Sequence, residues 1–100
     1  MLLTKLDLIF GALADRNRRF IIQRLCRGSA SVSELAELVP MTLPSLLQHL
    51  QALEGCSLIW SEKKGRVRTC WLQQDALSIG AHWIEQRQKS ARRHAREGWA

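Results

Sequence analysis

Two capped, leucine-rich runs separated by a single proline, between Ser31 and Leu53, constrain the fold more than anything else in this chain. Ser31 and Glu34 have the spacing of a capping box, in which the serine oxygen accepts a backbone N–H three residues on and the glutamate reaches back. Leu35, Ala36, Leu38 and Val39 then form one apolar stripe. Pro40 drives Val39 into extended geometry and stops the helix there. Thr42 can cap a second helix with Pro44 in its first turn, where a missing N–H is harmless. In that helix Leu43, Leu46, Leu47, Leu50 and Leu53 face inward or sit at the border, leaving Ser45, Gln48, His49, Gln51 and Ala52 outside. Two short helices crossed through a tight turn make a helix-turn-helix, whose second member enters the DNA major groove. Helical bundles that bind nothing can carry the same pattern, so its surroundings have to decide.

Upstream, Leu2, Leu3, Leu6, Ile9, Phe10 and Leu13 recur at helical spacing and predict an amphipathic helix over 2–14. Asp15 is placed to cap a second helix running to Arg27. Phe20, Ile21, Leu25 and Cys26 would face inward there, with Arg16, Arg18, Arg19 and Arg24 outward and Gly28 as the stop. Beyond the helix-turn-helix, at about 31–54, the period changes. Leu58–Glu62 and Val67–Leu72 are rich in β-formers, and Lys63-Lys-Gly-Arg66 between them is a basic turn. Residues 58–72 therefore predict a hairpin, with Trp60 and Trp71 packing it against the helices. Asp75 then caps a last helix over 75–97 that carries Leu77, Ala81, Ile84, Gln88, Ala91 and Ala95 down one side. The predicted fold is mainly α with one β-hairpin, in the order α-α-α-α-β-β-α, with residues 1–100 forming a single domain.

A helix-turn-helix followed at once by a basic hairpin is a winged helix, and the charge balance favours the DNA-binding reading. With 15 basic against 9 acidic residues the chain carries a net charge of +6, which suits a polyanionic partner. The cations sit beside the probe rather than on it: the wing has Lys63, Lys64, Arg66 and Arg68, whereas the second helix of the motif holds only Glu54. Phosphate contacts are therefore expected from Lys63, Lys64, Arg66 and Arg68, joined by Arg18 and Arg19, and base contacts from Thr42, Ser45, Gln48 and His49. The expected partner is double-stranded DNA, not a membrane. No apolar run approaches the roughly 20 residues that span a bilayer. Asp7 interrupts the apolar start and no small-residue cleavage site follows, which argues against a signal peptide. Three cysteines imply no disulfide framework and fit the reducing cytoplasm.

Four segments in order resemble the ArsR family of bacterial winged-helix repressors: Phe10-Gly-Ala-Leu-Ala-Asp-Arg-Asn-Arg-Arg19, Ser31-Val-Ser-Glu-Leu-Ala36, Leu43-Pro-Ser-Leu-Leu-Gln-His-Leu50 and Gly65-Arg-Val-Arg-Thr-Cys70. Trp83-Ile-Glu85 near the end is similar to one branch of it, and the likeness spans roughly residues 5 to 90. The resemblance implies a homodimer built from the first and last helices, a pseudo-palindromic operator, and repression by blocking RNA polymerase. Leu2, Leu6 and Ile9 with Leu77, Ala81, Ile84, Gln88 and Ala91 are the expected interface, because a core of this size can hardly absorb both terminal stripes. A two-fold dimer would set its recognition helices roughly 34 Å apart.

Some departures from the family pattern bear on function. Leu47-Gln-His-Leu50 stands where the family usually has Ser-Lys-His-Leu, removing a hydroxyl and a cation from the DNA-facing side. Those changes motivate the competing reading, a dimeric protein-interaction module with degenerate DNA binding; the two differ in whether DNA is retained at low salt. Ser57 occupies a position where glycine usually follows the recognition helix; the helix could instead end at Gly55. Ala36 and Leu38 replace one metal-binding Cys-x-Cys pair of relatives. On the last helix Gly80-Ala-His82 lacks an aspartate, and the interval from it to His94-Ala-Arg-Glu97 is one residue too long, a shift of about 100° around the helix. No metal and no cofactor is expected. A thiol-responsive repressor would need an exposed cysteine; Cys56, at a helix end, is a better candidate than Cys26 or Cys70. Nothing resembles a phosphate-cradling loop, a nucleophile elbow or paired carboxylates, so no enzyme is expected, and no residue pattern specifies an effector.

Overall fold

The computed structural model describes residues 3–96. Its elements are α1 (Lys5–Leu13), α2 (Arg16–Leu25), β1 (Ala30–Ser31), α3 (Val32–Leu38), α4 (Leu43–Gly55), β2 (Ile59–Lys64), β3 (Val67–Leu72) and α5 (Gln74–Arg96). This is a winged helix-turn-helix, mainly helical with a small antiparallel sheet.

Short polar side chains set most of the helix starts. Asp15 Oδ1 accepts the Asn17 and Arg18 amides at 2.8 and 3.1 Å. Ser31 and Glu34 form the reciprocal box at 3.1 and 3.2 Å, and Thr42 Oγ1 accepts the Ser45 amide at 3.3 Å. Val39 is extended at φ −111°, as the following proline requires. Thr4 and Asp7 form a second box, so α1 begins at Lys5 rather than at residue 2. At the other end Asp75 lies in the first turn of α5, one residue inside its start, rather than capping it. The second helix stops at Leu25, short of Arg27, and Gly28 closes the exit with φ +131°.

The sheet has three strands in the order β1-β3-β2, not two. Ala30 and Ser31 pair with Cys70 and Thr69, a contact too short to leave a period in the sequence. Lys64 pairs with Val67, so the turn is Gly65–Arg66 alone, and Lys63 and Lys64 belong to the strand. Gly65 has φ +60°, as the first position of a type II′ turn demands. Trp60 and Trp71 are cross-strand neighbours stacked with centroids 4.3 Å apart. Trp60 is 44% exposed, so this pair rigidifies the outer side of the hairpin instead of wedging it against the helices.

The largest fully buried side chains are Ile9, Ile21, Leu35, Leu46, Leu53, Leu58, Ile59 and Cys70, drawn from most of the elements. Ile22 takes an inward place expected for Phe20, which is exposed together with Cys26. The physical reason is phase: with the start set by Asp15, positions 21, 22 and 25 share one side and residue 20 falls on the flank. Leu38 is likewise exposed at the end of α3. Small residues Ala76 and Gly80 bring α5 close to α1, where a Cβ on Gly80 would lie 3.6 Å from Ile9 Cγ2. Ile9 is thus enclosed within its own chain and has no surface to offer a partner, correcting its assignment to an interface.

Candidate nucleic-acid interface

The outward side of α4 is displaced from the expected one by about one residue, or about 100°. Its exposed residues are Leu43, Pro44, Leu47, Gln48, Gln51 and Gly55, while Ser45, His49 and Ala52 are half-buried. The cause is the packing of α1 and α2 on the Ser45–His49–Ala52 side. Ala52 shares a surface cleft with Leu8, Gly11 and Ala12 of α1, and His49 is held by α2.

Arg18 Nε donates to His49 Nδ1 at 3.1 Å, which uses that nitrogen's lone pair and leaves Nε2 to carry the ring proton. Beside it, Asp15 keeps its carboxyl below the ordinary range by accepting backbone N–H groups, that of Arg18 foremost, against an opposing desolvation and with help from the neighbouring Arg18 charge. Arg19 turns back to the Leu13 carbonyl at 2.9 Å. Thr42 is exposed, with its hydroxyl 3.1 Å from Ser45 Oγ. Gln48 is exposed on the outer ridge, next to Leu47.

All four wing cations, Lys63, Lys64, Arg66 and Arg68, are exposed. Three of them, Lys63, Arg66 and Arg68, line one side of an open cleft of about 620 Å³ whose other side includes Leu43 and Leu47. A chain of polar contacts not anticipated from sequence holds the two sides in place. Arg68 Nη1 donates to Ser61 Oγ at 2.9 Å, and Ser61 Oγ donates in turn to Glu54 Oε1. The one acid of α4 is therefore joined to both strands of the wing. Its only sequence signal was its isolation: a lone carboxylate on a helix meant for DNA needs a partner.

Of the expected interface residues on the terminal helices, Ala81, Ile84, Gln88 and Ala91 are exposed, while Leu6 and Leu77 are half-buried. Leu2 lies outside the described residues. Trp83 and Ile79 are exposed on α5 as well, Trp83 meeting Phe10 edge-on at 5.8 Å. Cys56 is buried, its thiol donating to the Leu53 carbonyl at 3.4 Å, so the exposed thiol is Cys26 and not Cys56. Burial, and secondarily the Glu54 charge, pushes the Cys70 thiol up. Among the described residues, no three His, Cys, Asp or Glu side chains are grouped to hold a metal ion, and no helix is long and apolar enough to cross a membrane.

Residues 15–61 match the family model described as bacterial regulatory protein, arsR family. An HTH-type transcriptional regulator of Mycobacterium tuberculosis is 36% identical over 72 residues, 72% of this chain and 67% of its own length. The arsenical resistance operon repressor of Bacillus subtilis is 42% identical over 65 residues, 64% of this chain and 62% of its own. The chain thus spans about two thirds of the length of these curated relatives. Among solved structures, an ArsR family transcriptional regulator superposes with a TM-score of 0.85 at 39% identity, covering 92% of this chain and 97% of the other. A homodimeric winged helix-turn-helix DNA-binding domain from Mycobacterium bovis shares the fold at 22% identity, with a TM-score of 0.69 over 90% of this chain and 84% of its own.

Proposed function

This chain belongs to the ArsR family of DNA-binding transcriptional regulators, which are not enzymes, and we accordingly propose that it is a repressor that grips a pseudo-palindromic operator as a homodimer. The observation that carries this reading is the juxtaposition of an almost uncharged recognition ridge on α4 with the cations Lys63, Arg66 and Arg68 across one open cleft. Such an arrangement separates two tasks. The wing, with Lys64 beside its tip and Arg18 and Arg19 on α2, neutralises phosphates and supplies affinity without sequence information. The α4 surface meets base edges. Gln48 is the principal reader, its amide suited to a bidentate contact with adenine, and Thr42, Ser45 and the Nε2–H of His49 add shorter-range contacts.

The dimer follows from surface that one chain leaves open. Ile79, Ala81, Trp83, Ile84, Gln88 and Ala91 on α5, with Leu8 on α1 and Leu3 just before it, form an apolar-rich region that a second copy would cover. A solved domain of the same fold is homodimeric, which supports assembly in pairs. Two copies would present two α4 ridges to one side of a duplex, about one helical turn apart. Occupying the operator would exclude RNA polymerase, and the site of action would be the bacterial cytoplasm. The Bacillus subtilis repressor among its relatives supports the direction of regulation.

Binding to selected operator variants at several salt concentrations tests the division. Gln48→Ala is expected to flatten the preference among variants while leaving the salt slope in place. Arg66→Ala is expected to weaken all variants alike and to lower the magnitude of the log–log salt slope by about 1 per dimer half. Identical behaviour of the two variants would refute the separation. Absence of any DNA retention at low salt would refute operator binding in favour of a protein-interaction module.

A further inference from the structure

We infer that Leu47, supported by Leu43, reads the C5-methyl group of a thymine in the operator, making an apolar contact a determinant of this chain's sequence preference. The inference rests on the operator-binding reading above and goes beyond its polar contacts.

Leu43 and Leu47 are 52% and 45% exposed, on the side of α4 that looks across the cleft toward the wing. They are four residues apart, so their side chains lie one above the other on the same helix face. Val67 of the wing, 53% exposed, lines the same cleft. Three half-bare apolar side chains therefore share a space with Lys63, Arg66 and Arg68, and no acidic residue lines it. A second apolar protein surface would strand those cations against it, at the cost of desolvating them. A membrane surface would meet a cleft rather than a protruding face.

Duplex DNA satisfies both features at once. Its phosphates complement the cationic rim, and the thymine C5-methyl is the one apolar group that base edges present in the major groove. Gln48, the next residue, is the side-chain type that pairs with adenine N6 and N7. A leucine and a glutamine side by side on the exposed ridge can thus address the two halves of an A·T pair, or of neighbouring ones. A hydroxyl at position 47 could hydrogen-bond several bases; leucine rewards only the methyl.

The test needs an operator and one atom-scale change in it. Duplexes are first enriched from a random pool with the full chain, and each thymidine of the winning sequence is then replaced in turn by deoxyuridine, which lacks only the methyl. Wild-type protein is expected to bind about fourfold more weakly at one position per half-site, and about fifteenfold more weakly when both are replaced, the worth of one buried methylene each. Leu47→Ala is expected to bind the thymidine and deoxyuridine duplexes equally, and its own enriched sequences to lose the thymine at that position. The wild-type arm needs no variant, so the folding of Leu47→Ala does not decide the outcome. Equal wild-type binding to every deoxyuridine duplex, with specific binding otherwise intact, would overturn the methyl contact and leave operator reading standing. A full deoxyuridine penalty retained by both Leu47→Ala and Leu43→Ala would overturn the assignment to these residues. No enrichment of any sequence would overturn operator reading, and this inference with it.

Discussion

Replacing Ser57 by glycine should stabilise this protein, and the size of the gain can be worked from the end of α4. Ser57 has φ +62° and is the one non-glycine residue with positive φ among those described. Its amide donates to the Glu54 carbonyl and that of Leu58 to the Leu53 carbonyl, both at 3.0 Å, the two bonds of a Schellman ending. Leu53 and Leu58, the pair whose contact accompanies that motif, are both fully buried, so the core dictates this geometry whatever residue stands at 57. A left-handed conformation costs an L-residue roughly 1–2 kcal/mol. Glycine escapes that cost but gives back roughly 0.5–1 kcal/mol through its freer unfolded chain. The net expectation for Ser57→Gly is a gain of about 1 kcal/mol, or about 4–8 °C in Tm for a domain of this size. Thermal unfolding followed by circular dichroism, at matched protein concentrations because association raises Tm, measures it. Ser57→Ala serves as the control and should stay near wild type, since it keeps the Cβ that suffers. A Ser57→Gly protein melting at or below wild type would show that the strain argument is wrong at this ending.

Acid should weaken the helix starts. Asp7, Asp15 and Glu34 are each held below their ordinary values of 3.8, 3.8 and 4.5, chiefly by accepting the backbone N–H of Thr4, Arg18 and Ser31 respectively. The unfolded chain therefore binds more protons, so stability is level above these ordinary values and falls as pH drops through about 4.5 and below. An Asp15→Asn/Glu34→Gln double variant should show a shallower loss of Tm between pH 5 and pH 3, and an unchanged acid profile would count against the caps. Thiol labelling of the native protein should modify Cys26 rapidly and spare Cys56 and Cys70 until denaturant is added; fast labelling of Cys56 would contradict its burial. Ile84→Glu should shift the sedimenting species from dimer toward monomer without lowering helical content, because Ile84 is exposed in the single chain; an undiminished dimer would place the subunit interface elsewhere.

Much of this fold was legible because its helices announce themselves chemically. Asp15, Ser31 and Thr42 each cap in place, and Pro40 ends α3 through the geometry it imposes on Val39. Features without local chemistry were invisible. The strand Ala30–Ser31 is two residues long and owes its existence to Cys70 and Thr69, forty residues away in β3, so no window on the sequence contains the information. The placing of Trp60 and Trp71 failed for a related reason. Alternation tells which residues share a sheet face, but the same period fits either face turned inward, and here Ile59 and Cys70 took the core.

The candidate site was misread by one residue's rotation, and the cause carries a functional consequence. Apolar periodicity assigned Leu43 and Leu47 to the protein because leucines are ordinarily inside, yet α4 already satisfies its core with Leu46, Leu50 and Leu53. The side left for contact with α1 and α2 is Ser45, His49 and Ala52, and the Arg18–His49 hydrogen bond makes that polar side a good packing surface. Leucine at the exposed ridge is then a choice about what α4 meets outside the chain. Glu54 sharpens this point. As a free carboxylate it would repel the duplex that the ridge addresses, but the Ser61 hydroxyl, itself accepting from Arg68, donates to it and makes it part of a brace between helix and wing. The angle between reader and clamp is set by that brace on one side of the turn and by the strained Ser57 on the other. Affinity from the wing and selectivity from α4 are consequently coupled through Glu54, Ser61 and Ser57, none of which need touch DNA.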